Sequence, residues 1–110
     1  MSSFGLDADD TATIVSILST HPEIESAVVY GSRAKGNFKS GSDIDLVLTG
    51  THLTDQIVLD VCAELRDSNV PLMVDIFAEN ELNDENLKRE IDTTKQVFYV
   101  RIPDEKRLMV

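Results

Sequence analysis

Three aspartates stand where carboxylates are costly unless something binds them. Asp43 and Asp45 flank Ile44 at the head of the apolar run Leu46-Val47-Leu48. Side chains at i and i+2 of a strand point to the same face, so two bare carboxylates there repel each other. Aspartate is also a poor strand former. A hard divalent cation that prefers oxygen ligands, such as magnesium, resolves both problems. An isolated Asp-x-Asp fits an exposed edge strand with two solvated acids better than a metal site, so the third carboxylate matters. Asp75 lies inside Pro71-Leu72-Met73-Val74-Asp75-Ile76-Phe77. An aspartate in such a run is either buried and paired or faces a site; the competing reading is a capped or solvent-facing strand end. If the two strands are neighbours, Asp43, Asp45 and Asp75 share one face, an arrangement that recurs in two-metal phosphoryl chemistry. Two of the acids would ligate metals, and the third would bridge a metal and accept a proton from an attacking hydroxyl.

A candidate phosphate-binding element precedes the acids. In Tyr30-Gly31-Ser32, Gly31 lets the backbone turn sharply and approach a ligand closely, and Ser32 offers a hydroxyl and a backbone N–H. Arg33, Lys35 and Lys39 add positive charge. Arg33 fits either a phosphate contact or a solvated basic loop, and Lys39 is read as solvated. Two lookalikes fail. Gly31 to Gly36 has the glycine spacing of a Walker A loop, but Asn37 and Phe38 stand where lysine and serine or threonine belong. Asp43-Ile44-Asp45 runs on into apolar residues, without the third ligand or the glycine of an EF-hand loop.

The elements that must position these residues follow from periodicity. Ile14, Val15, Ile17 and Leu18 form one helical stripe between Asp7 and Thr20, with Asp7 as N-cap, Asp9 and Asp10 in the first turn, and Pro22 as the stop. Ser26 to Tyr30 reads as a short buried strand. Gly31 to Ser42 must be turn or loop, with room for one helical turn after Ser32. Asp43 to Leu48 alternates as a half-buried strand. Ile57, Val58, Val61, Cys62 and Leu65 predict a helix between Thr51 and Asp67, Leu72 to Phe77 another strand, Leu82, Leu87 and Ile91 a weaker helix, and Val97 to Ile102 a last strand. The loop joining the first two strands is too short for a helical crossover, so that pair is expected to be antiparallel and the sheet mixed.

With 110 residues, one compact domain spanning 1–110 is expected. Twenty acids against ten lysines and arginines give a formal net charge of −10. An acidic body repels nucleic-acid phosphates, so no direct nucleic-acid partner is expected. No apolar run approaches a membrane span, and Asp7, Asp9 and Asp10 fall too early for a signal peptide. Cys62, the single cysteine, has no internal disulfide partner and sits at a core-facing helical position. The cytoplasm is the expected compartment. His21 and His52 show no metal-ligand spacing, and Tyr30 is read as packing beside the site rather than reacting.

Gly31-Ser32, ten residues, then Asp43-Ile44-Asp45 and apolar Leu46-Val47-Leu48 resembles the signature of the minimal nucleotidyltransferase family, within the DNA polymerase β superfamily. Average residue usage makes the four fixed matches roughly a 10⁻⁵ event per position. Asp75 matches the family's third carboxylate. The likeness is strong over Ser26 to Phe77 and weaker at Ile91 and Val97-Phe98-Tyr99.

The resemblance implies an α/β (α+β) nucleotidyltransferase fold, a mixed sheet with helices packed against it. It also implies that Ser32 contacts a triphosphate, that Asp43 and Asp45 hold two magnesium ions, and that Asp75 completes the site. ATP is the expected substrate, with Gly31, Ser32 and Arg33 as its binding residues. Such short members commonly pair, as antitoxins, with a HEPN-domain ribonuclease toxin, and are thought to adenylylate a tyrosine on it. Two alternatives stay open: a non-catalytic protein-binding antitoxin, and a small-molecule nucleotidyltransferase of the aminoglycoside-modifying kind. The oligomeric state is open too, a homo-oligomer included.

Overall fold

The computed structural model describes residues 4–36 and 43–102. Helix α1 spans Ala8–Ser19, and Asp7 caps it by accepting the Asp10 N–H at 2.8 Å. Its buried stripe is Ile14 and Leu18. Strand β1 is Ser26–Tyr30, and the helical turn α2 follows at once over Ser32–Lys35. Strand β2 is Ile44–Thr49, one residue later than the alternation suggested: Asp43 lies just outside the ladder, which opens where the Ile44 N–H donates to the Met73 carbonyl. Helix α3, Asp55–Arg66, starts from a Thr54 cap. Strand β3 is Val74–Ala78, a 3₁₀ turn occupies Glu79–Glu81, helix α4 is Glu85–Thr94 and strand β4 is Gln96–Val100. No helix among the described residues is long and apolar enough to cross a membrane.

The strands form one mixed sheet in the order β3-β2-β1-β4. As the short loop requires, β1 and β2 are antiparallel. The β2–β3 pair is parallel, and α3 supplies the crossover that parallel pairing demands. On β4 the register against β1 shifts between Ala27 and Val28.

The two faces of the sheet differ. On one, Ala27, Val29, Ile44, Leu46 and Leu48 pack with Ile14 and Leu18 of α1 and Val61 and Leu65 of α3. On the other, α4 lays Ile91 over Tyr30 and Val47, with Val28, Leu82 and Leu87 at the margin. Val47 is therefore buried from a side that simple alternation left to solvent. The site lies on this second, thinner face.

Candidate active site

Register brings the key side chains into one row. Tyr30 pairs with Asp45 across β1 and β2, and Asp45 pairs with Asp75 across β2 and β3. Paired residues on neighbouring strands point to the same face. Two aspartates from separate parts of the chain thus stand side by side, both half-buried.

Their proximity has an electrostatic cost. Burial, then the charges of Asp75 and Asp43, then a hydrogen bond with Asp75 and the charge of Glu90 push Asp45 up to about 6. Carboxylates hydrogen-bond to each other only by sharing a proton, so the row carries more negative charge than it can hold comfortably at neutral pH. Burial and the charges of Asp45, Glu90 and Asp75 likewise push Tyr30 up to about 12. Tyr30 is 6% exposed and stays a neutral phenol packed against Val47 and Ile91.

Asp43 sits immediately before β2, exposed, and contributes charge to Asp45. It does not close a cage: among the described residues, no three His, Cys, Asp or Glu side chains are grouped to hold an ion. The donor chemistry nonetheless suits a hard cation, because the paired acids offer only oxygen and their repulsion is what a cation would relieve.

Gly31 ties the turn to this row. Its backbone lies at φ 78°, ψ −149°, a region open essentially to glycine. A Cβ built there would stand 3.4 Å from Asp45 Oδ2, so the glycine backbone lies against the carboxylate. Ser32 opens α2 and is half-buried, and Gly36 ends it at φ 84°. The helical turn allowed for after Ser32 is thus present, and it brings the Gly31 backbone to Asp45.

Arg33 is not a solvated loop residue. It is 3% exposed, and its Nη1 donates to the Phe4 carbonyl at 2.7 Å, tying α2 to the segment before α1. Lys35 is exposed. Lys39, Gly41 and Ser42 lie outside the described residues.

Three further residues touch the site. Thr94 Oγ1 accepts the Gly31 N–H at 3.1 Å, Gln96 Nε2 donates to the Ala34 carbonyl at 2.6 Å, and Glu90 bears on both Asp45 and Tyr30. Nothing in the sequence marks Thr94 and Gln96, ordinary polar residues more than sixty positions from the backbone groups they hold.

Comparison with known proteins agrees with this fold. The chain has the same fold as a chain of a toxin–antitoxin crystallised with AMP-PNP (TM-score 0.67, 17% identity, 87% of this chain and 77% of that one). It is similar to a chain of the tri-AMPylated Shewanella oneidensis HEPN toxin in complex with MNT antitoxin (TM-score 0.61, 15% identity, 88% and 75%). It is similar as well to a chain of the toxin–antitoxin MntA–HepT (TM-score 0.63, 15% identity, 86% and 74%). No curated protein matches it. Residues 12–104 match the family model described as Polymerase beta, Nucleotidyltransferase, which takes in β1, the Gly31-Ser32 turn and all three aspartates. With that match covering most of its length, the chain belongs to the polymerase beta nucleotidyltransferase family.

Proposed function

We propose that this chain transfers AMP from ATP to a hydroxyl on a partner protein, and that the partner is a HEPN-type toxin neutralised by the modification. The observation that carries the reading is the Asp45–Asp75 pair, set in register beside the Gly31 backbone. Paired acids at a sharp glycine turn suit phosphoryl transfer and serve no evident packing purpose. The AMP-PNP in one related complex and the tri-AMPylated toxin in another support the choice of nucleotide and of partner.

In this mechanism the triphosphate lies against the Gly31 backbone and the Ser32 hydroxyl. Asp43, Asp45 and Asp75 would hold two magnesium ions, which supply charge neutralisation at the phosphate oxygens when bound. Asp75 faces the incoming hydroxyl and takes its proton. That oxygen attacks the α-phosphorus in line, and pyrophosphate leaves from the opposite side. The chain's own contribution is positioning, with no covalent enzyme intermediate. Arg33 supports the turn from beneath, by its hold on the Phe4 carbonyl. In this reading the partner presents the hydroxyl.

Intact-mass spectrometry of the protein co-expressed with the product of the neighbouring gene tests the proposal. AMP-sized additions on the partner, present with wild type and absent with Asp45→Asn, are expected. A partner left unmodified, yet neutralised equally by both forms, would establish the non-catalytic binding module instead.

A further inference from the structure

The Gly31–Lys35 segment is held at both ends from one place in the fold. Thr94 closes α4, and Gln96 opens β4 two residues later. The Thr94 hydroxyl donates its single proton to the Glu90 carbonyl at 2.9 Å. That leaves its oxygen as an acceptor, and the Gly31 N–H uses it at 3.1 Å. Gln96, opposite Val29 in the ladder, donates its amide to the Ala34 carbonyl at 2.6 Å. One bond fixes the start of the turn, where the backbone is in a glycine-only conformation against Asp45 Oδ2. The other fixes the far side of the same helical turn. A four-residue helix has too few internal bonds to hold its own orientation; among the described residues, Lys35 N–H to Gly31 and Gly36 N–H to Ser32 close it, at 3.1 and 3.0 Å.

We propose that Thr94 and Gln96 are positioning residues, a clamp that sets the Gly31-Ser32 turn at the pose in which it receives the nucleotide. The inference rests on the reading that this turn holds the triphosphate. Neither residue touches the reacting atoms; each acts through the backbone it grips. The clamp also makes the site depend on where α4 ends, so a shift at the α4–β4 junction would be felt at Gly31 and, through it, at Asp45.

The test uses the full chain and two readouts. The first is calorimetric titration with magnesium-ATP. Thr94→Val, which keeps the shape and removes the hydroxyl, should weaken binding roughly fivefold, the scale of one hydrogen bond. Gln96→Leu should weaken it by a similar factor, and Thr94→Ser should bind like wild type. The second is amide hydrogen exchange at Gly31 without nucleotide: protected in wild type and Thr94→Ser, unprotected in Thr94→Val. Thr94→Val binding magnesium-ATP as tightly as wild type would overturn the clamp. So would a wild-type Gly31 amide that exchanges as freely as an exposed turn, a result that stands even if Thr94→Val fails to fold. If wild type binds no magnesium-ATP at all, the proposed function fails, and the exchange data alone still decide whether the turn is clamped.

Discussion

The two faces of the sheet show a division of labour within a single strand. On β2, Ile44, Leu46 and Leu48 face α1 and α3 and are fully buried, whereas Asp45 on the alternate side joins Tyr30 and Asp75 beneath the edge of α4. The first face is closed by two twelve-residue helices. Among the described residues the second is closed only by Ile91 on Tyr30 and Val47, with marginal help from Val28, Leu82 and Leu87. The strand alternation that builds a core on one side therefore delivers two like charges side by side on the other. One face holds the fold together, and the other carries an electrostatic strain that a bound cation would relieve.

Substitutions on the two faces should separate these roles. The largest effect belongs to the core. Leu46→Ala removes a side chain with no exposed surface and should cost about 2–5 kcal/mol in denaturant unfolding. At the boundary, Gly31→Val forces a branched residue into a glycine-only backbone and should cost roughly 1–3 kcal/mol. It should also abolish nucleotide binding in calorimetry, because its side chain would stand between the turn and Asp45.

On the site face the sign reverses. Asp45 titrates near 6 in the folded protein against an ordinary 3.8. A raised carboxyl pKa means that ionising it costs the folded state more than the unfolded one. The penalty is full above about pH 6, shrinks as pH falls through that value, and is gone below the unfolded pKa. Asp45→Asn should therefore be more stable than wild type at pH 7.5, by about 1–2 kcal/mol once partial exposure to solvent is allowed for. That advantage should narrow on acidification from pH 7 to pH 4, read from paired thermal melts. A loss of stability on Asp45→Asn at pH 7.5 would erase the contrast between the faces. The smallest effect lies away from both. His21 Nε2 meets Glu64 Oε2 at 2.6 Å between the end of α1 and α3, and His21→Ala should cost no more than about 1 kcal/mol because Glu64 is exposed.

The strands, the three main helices and the carboxylates were legible in the sequence because each leaves a periodic or compositional trace. Asp75 could be singled out because an acid inside an apolar strand is costly. The antiparallel β1–β2 pair followed from the length of the loop. What escaped were contacts made by unremarkable polar residues across the fold. Thr94 and Gln96 look like ordinary helix-end and strand-start residues until the register brings them to Gly31 and Ala34. Arg33 read equally well as a phosphate ligand or a solvated side chain; its burial against the Phe4 carbonyl depends on where the chain before α1 returns, which no local pattern encodes. Val47 looked solvent-facing because alternation does not reveal that α4 comes back over the second face.

If Asp45 and Asp75 bind a metal–nucleotide complex, as we propose, ATP binding must depend both on magnesium and on the Asp45 carboxylate. Calorimetric titration of magnesium-ATP into wild type and into Asp45→Asn at pH 7.5 tests it most directly, with melting curves to establish that both are folded. Magnesium-dependent ATP binding by wild type is expected, and its loss in an Asp45→Asn protein that is at least as stable. Equal affinity in the two proteins, or ATP binding by wild type that is indifferent to magnesium, would contradict it.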